Sequence, residues 1–236
     1  CSQWSDLDVA RRTLDWWRFE CQPGNIERSA HPILRELNRA EDCTALDQGA
    51  LARLFDTAEA RLVAVAPTDL DGLERLCRFV AEPLYDLELG LCAGLESFEG
   101  RAPTACASNG LAQLIRESVG PGRAGRFWWL PLNLLARHGV SRTDVAERAD
   151  APAVRALFGD ILGHSHDWAG TPGAQHELAP NILAPMRHFV VFSHLQACIL
   201  RRLRGSRPAQ YPAAFRRAGA AELFQAWKAA RLVSRP

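Results

Sequence analysis

The chain lacks several features that would each have assigned it to a class. It has almost no net charge: 28 lysines and arginines stand against 27 aspartates and glutamates, a formal +1. So close a balance removes the electrostatic reason to expect nucleic acid as a partner. No uncharged apolar run reaches the roughly 18 residues that a membrane-spanning helix needs. The 7 cysteines (Cys1, Cys21, Cys43, Cys77, Cys92, Cys106 and Cys198) are odd in number, scattered and never spaced C-x-x-C. Reduced, buried thiols fit that scatter better than a zinc site or a disulfide frame. No secretory leader is visible, and the first residue is Cys1 rather than Met, so the chain reads as processed or as starting after its natural beginning. The expected location is the cytoplasm, with peripheral contact to a membrane in view. What the chain does have is 47% apolar and 23% charged residues, ordinary globular proportions that argue against disorder.

β-Branched residues are sparse, and Ala, Leu and Arg dominate, so the long periodic segments read as helices. Asp6 or Asp8 can cap a first helix to about Cys21, with Leu14, Trp17 and Cys21 on one face. Pro23-Gly24-Asn25 breaks it, and Pro32 opens a short helix whose Ile33, Leu34 and Leu37 are expected inside. Asp47 caps a helix with Leu51, Leu54, Phe55, Ala58 and Leu62 at three/four spacing. Asp69 starts the next, in which Pro83 forces a boundary or kink and Leu84, Leu87 and Leu91 continue apolar. A helix from about Thr104 to Val119 stops at Gly120-Pro121-Gly122. Ser141 and Asp144 have the spacing of a capping box. Helices near 151–168, 178–203, 208–217 and 220–232 complete one all-α domain over residues 1–236, with Pro180 and Pro185 bending the second of these.

The order of several short segments is informative. Leu14-Asp15-Trp16-Trp17-Arg18-Phe19-Glu20, His31-Pro32-Ile33-Leu34 and Leu76-Cys77-Arg78-Phe79-Val80-Ala81 come in turn, followed by Gly110 to Arg116, Gly125-Arg126-Phe127-Trp128-Trp129-Leu130-Pro131 and His138-Gly139-Val140-Ser141. Together they resemble the landmarks of the squalene/phytoene synthase family over about residues 8–150. The resemblance implies an isoprenoid synthase-type helical bundle around a central cavity. It also implies head-to-head joining of two prenyl diphosphates, with Mg²⁺ held by carboxylates of two Asp-rich motifs and the diphosphate by arginines and tyrosines. Carried onto this chain, it points to Glu117 as the metal ligand and to Arg116, Arg123, Arg126 and Trp129 as substrate-binding positions.

The chain departs from that pattern. Where the second acidic motif should stand, Glu117 or Ser118 replaces the first Asp, depending on the register, and Gly120, Pro121 or Gly122 replaces the second. The first acidic motif would fall at or before Cys1, so the N-terminal helix that carries it is expected to be missing from this sequence. Val65-Ala66-Pro67 occupies the place of a phosphate-contacting R-x-Y triplet, and apolar side chains cannot do that work. Glu82-Pro83-Leu84-Tyr85 replaces small residues and glycine. The enclosed space is therefore expected to be smaller and more apolar, through Val65, Leu84 and Trp129.

Other clusters admit two readings each. Arg116, Arg123 and Arg126 surround a helix C-terminus, whose dipole by itself stabilises arginines without any ligand. His164, His166 and His176 suggest a metal, but histidines two apart diverge around a helix, which favours surface positions. Arg201, Arg202, Arg204, Arg207, Arg216, Arg217 and Arg231, interleaved with Phe215, Phe224 and Trp227, form either a solvated basic face or a surface for a membrane or protein partner. The reading that follows is a squalene/phytoene synthase-like protein, catalytically reduced and acting in binding or assembly, resembling a respiratory complex I assembly factor of the same fold. Its ligand would be a prenyl diphosphate or other apolar molecule, without a cofactor. The alternative is an active Mg²⁺-dependent head-to-head prenyl-diphosphate synthase of squalene, hopanoid or carotenoid biosynthesis.

Overall fold

The computed structural model describes residues 7–39, 47–93, 105–119, 126–168, 186–216 and 220–233. Among these, all regular structure is helical. The helices are α1 (Leu7–Glu20), α2 (Pro23–Ile26), α3 (Pro32–Arg39), α4 (Gln48–Val63), α5 (Leu70–Ala93), α6 (Ala105–Val119), α7 (Leu132–His138), α8 (Arg142–Glu147), α9 (Pro152–Trp168), α10 (Arg187–Arg204), α11 (Tyr211–Arg216) and α12 (Ala220–Val233), with a 3₁₀ turn at Pro208–Gln210. They fall into two compact units. One comprises residues 1–65 and 82–101, the other residues 66–81 and 102–236.

In the first unit α1 lies against α4. Arg18 reaches Asp56 at 2.9 Å and Glu59 at 2.8 Å, exposed pairs that contribute little individually. Beneath them Cys21, Ile26 and Leu34 form a small core, with Trp17, Leu51 and Phe55 packed on it. Asp47 caps α4 as expected, accepting from the backbone N–H of Gly49 at 2.8 Å and Ala50 at 3.1 Å. α4 ends on Ala64 in the left-handed region at φ 56°, a conformation that crowds a Cβ.

Several expectations change here. Pro23-Gly24-Asn25 does more than interrupt: proline at the first helical position starts the short α2. In α3 Leu34 turns inward against Cys21 and Ile26, Ile33 is 67% exposed, and the side chain of Leu37 lies outside the described residues. Pro83 does not end α5, which continues to Ala93. Losing one i to i−4 bond is tolerated where burial on both sides holds the helix. Val80 before the proline and Tyr85, Leu87 and Leu89 after it are all buried, whereas Leu84 and Leu91 are exposed. Asp6, Pro180 and Pro185 lie outside the described residues.

The second unit holds the large core. Leu111 and Ile115 of α6, Leu157, Phe158 and Ile161 of α9, and Leu203 of α10 meet Trp129, Leu130 and Tyr211. Ser141 and Asp144 form the reciprocal capping box that opens α8. α6 crosses α5 so closely that a Cβ on Gly110 would stand 2.0 Å from the carbonyl oxygen of Cys77. Only glycine fits this crossing. Cys77 is itself fully buried, and burial pushes its thiol well above the usual range, so it stays neutral.

Two stability changes follow. Gly110→Ala is expected to lower stability by about 1–3 kcal/mol through overpacking, although alanine favours helix by roughly 1 kcal/mol. Ala64→Gly is expected to raise stability by about 0.5–1 kcal/mol by relieving the left-handed cap. Urea unfolding of the two variants measures both, and a neutral Gly110→Ala would contradict the close crossing.

Candidate functional site

Of the residues singled out from the sequence, Arg116 and Glu117 stand near the end of α6, and Trp129 reaches Ser118 beside them. Nearly every side chain from Cys106 to Ile115 is buried, so this helix is held from all sides and fixes what projects from its C-terminal end. Asn109, Gln113, Arg116 and Glu117 recur at helical spacing along it. Asn109 Nδ2 donates to Ser193 Oγ of α10 at 2.9 Å, and Arg116 donates to Gln196 Oε1 of α10 at 3.0 Å. Gln113 Nε2 donates to Glu117 Oε1 at 3.2 Å within α6. The α6–α10 contact is therefore a polar seam inside an otherwise apolar unit, with Ser193 and Gln196 both 3% exposed. Asn109 Oδ1 and Ser108 Oγ are buried there without a hydrogen-bond partner among the described residues. The alternation of Asn109, Gln113 and Glu117 in an apolar helix was the readable signal for this seam. Their partners on α10, some 80 residues on, carried none.

Arg116 does more than lean on a helix dipole. Its guanidinium also sits 5.3 Å from the centre of the Phe215 ring. Arg126 is exposed, and Arg123 lies outside the described residues. Ser118 and Glu117, the two residues named at this position, are placed differently. Ser118 is 2% exposed, and its hydroxyl accepts from Trp129 Nε1 at 2.7 Å and lies 2.9 Å from the carbonyl of Leu114 and 3.0 Å from that of Arg126. Ser118 is thus committed to the core, and Glu117 is the member of the pair that stands partly open. Trp129 is wholly buried, set at tilted and edge angles to Phe127 and Phe158.

Among the described residues, no three His, Cys, Asp or Glu side chains gather where they could hold a metal ion, so Glu117 belongs to no such group. α9 continues through His164 and His166, and His164 packs edge-on against Trp168. His176 lies outside the described residues. The C-terminal arginines divide between different tasks. Arg202 pairs with Glu222, and Arg204 donates to the carbonyl of Leu162 at 2.8 Å. Arg231 lies 4.8 Å from the Trp227 ring, which stacks with Phe224. No helix among the described residues is long and apolar enough to cross a membrane.

The family model for squalene/phytoene synthase matches residues 3–219. The chain belongs to the squalene/phytoene synthase family. No curated protein and no solved structure gives a significant match. The matched span runs well past the last landmark at Ser141 and takes in α9, α10 and α11, so the seam lies wholly within the family's extent.

The Ser118–Trp129 bond can be tested by itself. Ser118→Ala is expected to cost about 1–3 kcal/mol, because it strands a buried indole N–H. With Trp129→Phe in a double-mutant cycle, the coupling is expected to be about 0.5 kcal/mol or more. Strict additivity of the two substitutions in urea unfolding would dismiss the bond as a stabilising element.

Proposed function

We propose that this squalene/phytoene synthase family member is catalytically reduced and acts in binding or assembly. The carrying observation is the setting of Glu117. Four residues before it on the same face stands Gln113, which donates to it at 3.2 Å, and four residues after it the sequence has Pro121, past the last described turn of α6. A departing diphosphate carries about three negative charges, and its release relies on cations preorganised by several carboxylates. Glu117 and an amide are a poor ligand pair for a hard cation.

The stretch that should contact phosphate supports the same reading. The carbonyls of Pro67 and Thr68 accept from the backbone N–H of Leu132 at 3.0 Å and Asn133 at 2.9 Å. This segment braces the start of α7. A binding role has a surface at hand in α12, whose outward residues include Leu223 at 69%, Phe224 at 58% and Trp227 at 52% exposure, beside Lys228 and Arg231.

Incubation with farnesyl or geranylgeranyl diphosphate and Mg²⁺ is expected to release no diphosphate above background, and Glu117→Ala is expected to change neither that result nor stability by more than about 0.5 kcal/mol. Mg²⁺-dependent product that disappears in Glu117→Ala would instead establish an active head-to-head synthase.

A further inference from the structure

A second cluster of positive charge lies away from α6, where α9, the end of α10 and the 3₁₀ turn meet. Arg155 and Gly159 of α9, Arg204 at the end of α10, and Arg207, Gln210 and Tyr211 around the turn line a surface hollow of about 360 Å³. Among the described residues no carboxylate lines it, and none of the three arginines makes an ion pair with a described acid. Three guanidiniums around one concavity repel one another in the absence of a counter-charge. Arg18, Arg53, Arg78 and Arg202, by contrast, each meet an aspartate or glutamate.

The remaining groups are hydrogen-bond donors. Arg204 spends one N–H on the Leu162 carbonyl at 2.8 Å, which holds its side chain in place and leaves other N–H groups over. Gln210 turns its Oε1 to the backbone N–H of Arg207 at 3.2 Å, so its Nε2 remains as a donor. Tyr211 is 2% exposed, and burial pushes its phenol well above the usual range, so the hydroxyl keeps its proton. Gly159 opens the wall: a Cβ built there meets nothing within 4 Å. A mid-helix glycine costs roughly 1 kcal/mol against alanine, and at this position it widens the hollow.

From this arrangement we infer a binding site for a phosphate oxyanion, of the size and charge of a diphosphate or a small phosphorylated molecule. Forked guanidiniums bind phosphate oxygens in pairs, and three arginines around one concavity with no described carboxylate among its lining residues select an anion. The site is separate from Arg116, Arg126 and Glu117 and does not depend on whether the chain is catalytic.

Calorimetric titration with inorganic pyrophosphate tests it. One site per chain is expected, weakened about tenfold or more in Arg155→Gln and in Arg207→Gln, since a hydrogen bond to a charged group contributes roughly 1.5–3 kcal/mol. The double variant is expected to bind nothing measurable. Gly159→Leu is expected to block the hollow while the helical circular dichroism is unchanged, since its Cβ displaces no atom. Arg116→Gln/Arg126→Gln is expected to bind as the parent does. Sedimentation with phosphatidylcholine vesicles containing phosphatidic acid distinguishes the source: pelleting that needs Arg155 and Arg207 assigns a lipid headgroup, and pyrophosphate binding without pelleting assigns a free phosphate compound. Absence of binding in both arms, or binding that survives Arg155→Gln/Arg207→Gln and fails in Arg116→Gln/Arg126→Gln, would overturn the inference.

Discussion

A fully buried indole must find an acceptor for its N–H, and the acceptor here is Ser118. Much of the second unit follows from that requirement. Ser118 sits in the last turn of α6, and the same hydroxyl lies at hydrogen-bond distance from the carbonyl of Arg126. The end of α6 is thereby joined to the aromatic segment that follows. Once Ser118 points inward, helical geometry sends Glu117 and Arg116 elsewhere. Arg116 turns to Gln196 and Phe215, and Glu117 takes the amide of Gln113. The residues a catalytic reading would need are therefore oriented by a structural bond one position away.

The polar seam between α6 and α10 sharpens this point. Polar groups buried between helices are costly unless bonded, and bonded ones fix register more than they add stability. Asn109 with Ser193 and Arg116 with Gln196 pin two levels of the interface. On the other side of α6, Gly110 lets α5 approach to within contact of backbone atoms. α6 is thus constrained by a steric fit on one side and a hydrogen-bonded register on the other. A family fold held this way can lose acidic residues at its end without losing its architecture.

How much was legible in the sequence depended on whether a signal was local. The caps at Asp47 and Ser141 were readable because a side chain bonds the backbone two or three residues away. Phase was harder. Ile33 and Leu34 are equally apolar neighbours, and only the position of Cys21 and Ile26 decides that Leu34 is buried. Leu84 and Leu91 fitted an apolar stripe, yet Tyr85 and Leu89 lie inside, because Pro83 is itself a buried wall residue and shifts the buried stripe. At the candidate site, the inward commitment of Ser118 depends on Trp129, eleven residues on, and no periodicity could supply it. The seven C-terminal arginines read as one basic face, whereas the structure disperses those it describes among an ion pair, a carbonyl, an aromatic ring and the hollow by Arg155.

α12 shows how far burial can depart from polarity. Its inward contacts include Glu222, paired with Arg202, and Gln225, which meets His194 Nε2 at 3.1 Å. Ala229 fills the remaining space and is fully buried. Leu223, Phe224 and Trp227 face solvent on the same helix. An ordinary surface helix has the opposite arrangement, because apolar burial supplies most of the free energy that holds it. Among the described residues, α12 is attached through polar bonds and small residues, and Leu223, Phe224 and Trp227 stay exposed. Phe224 and Trp227 stack on each other, and Arg231 covers part of the indole, which reduces the exposure without removing it. A helix so oriented gains most when something else covers its outer face. The described part of α12 thus carries apolar area that its own packing against the second unit does not use.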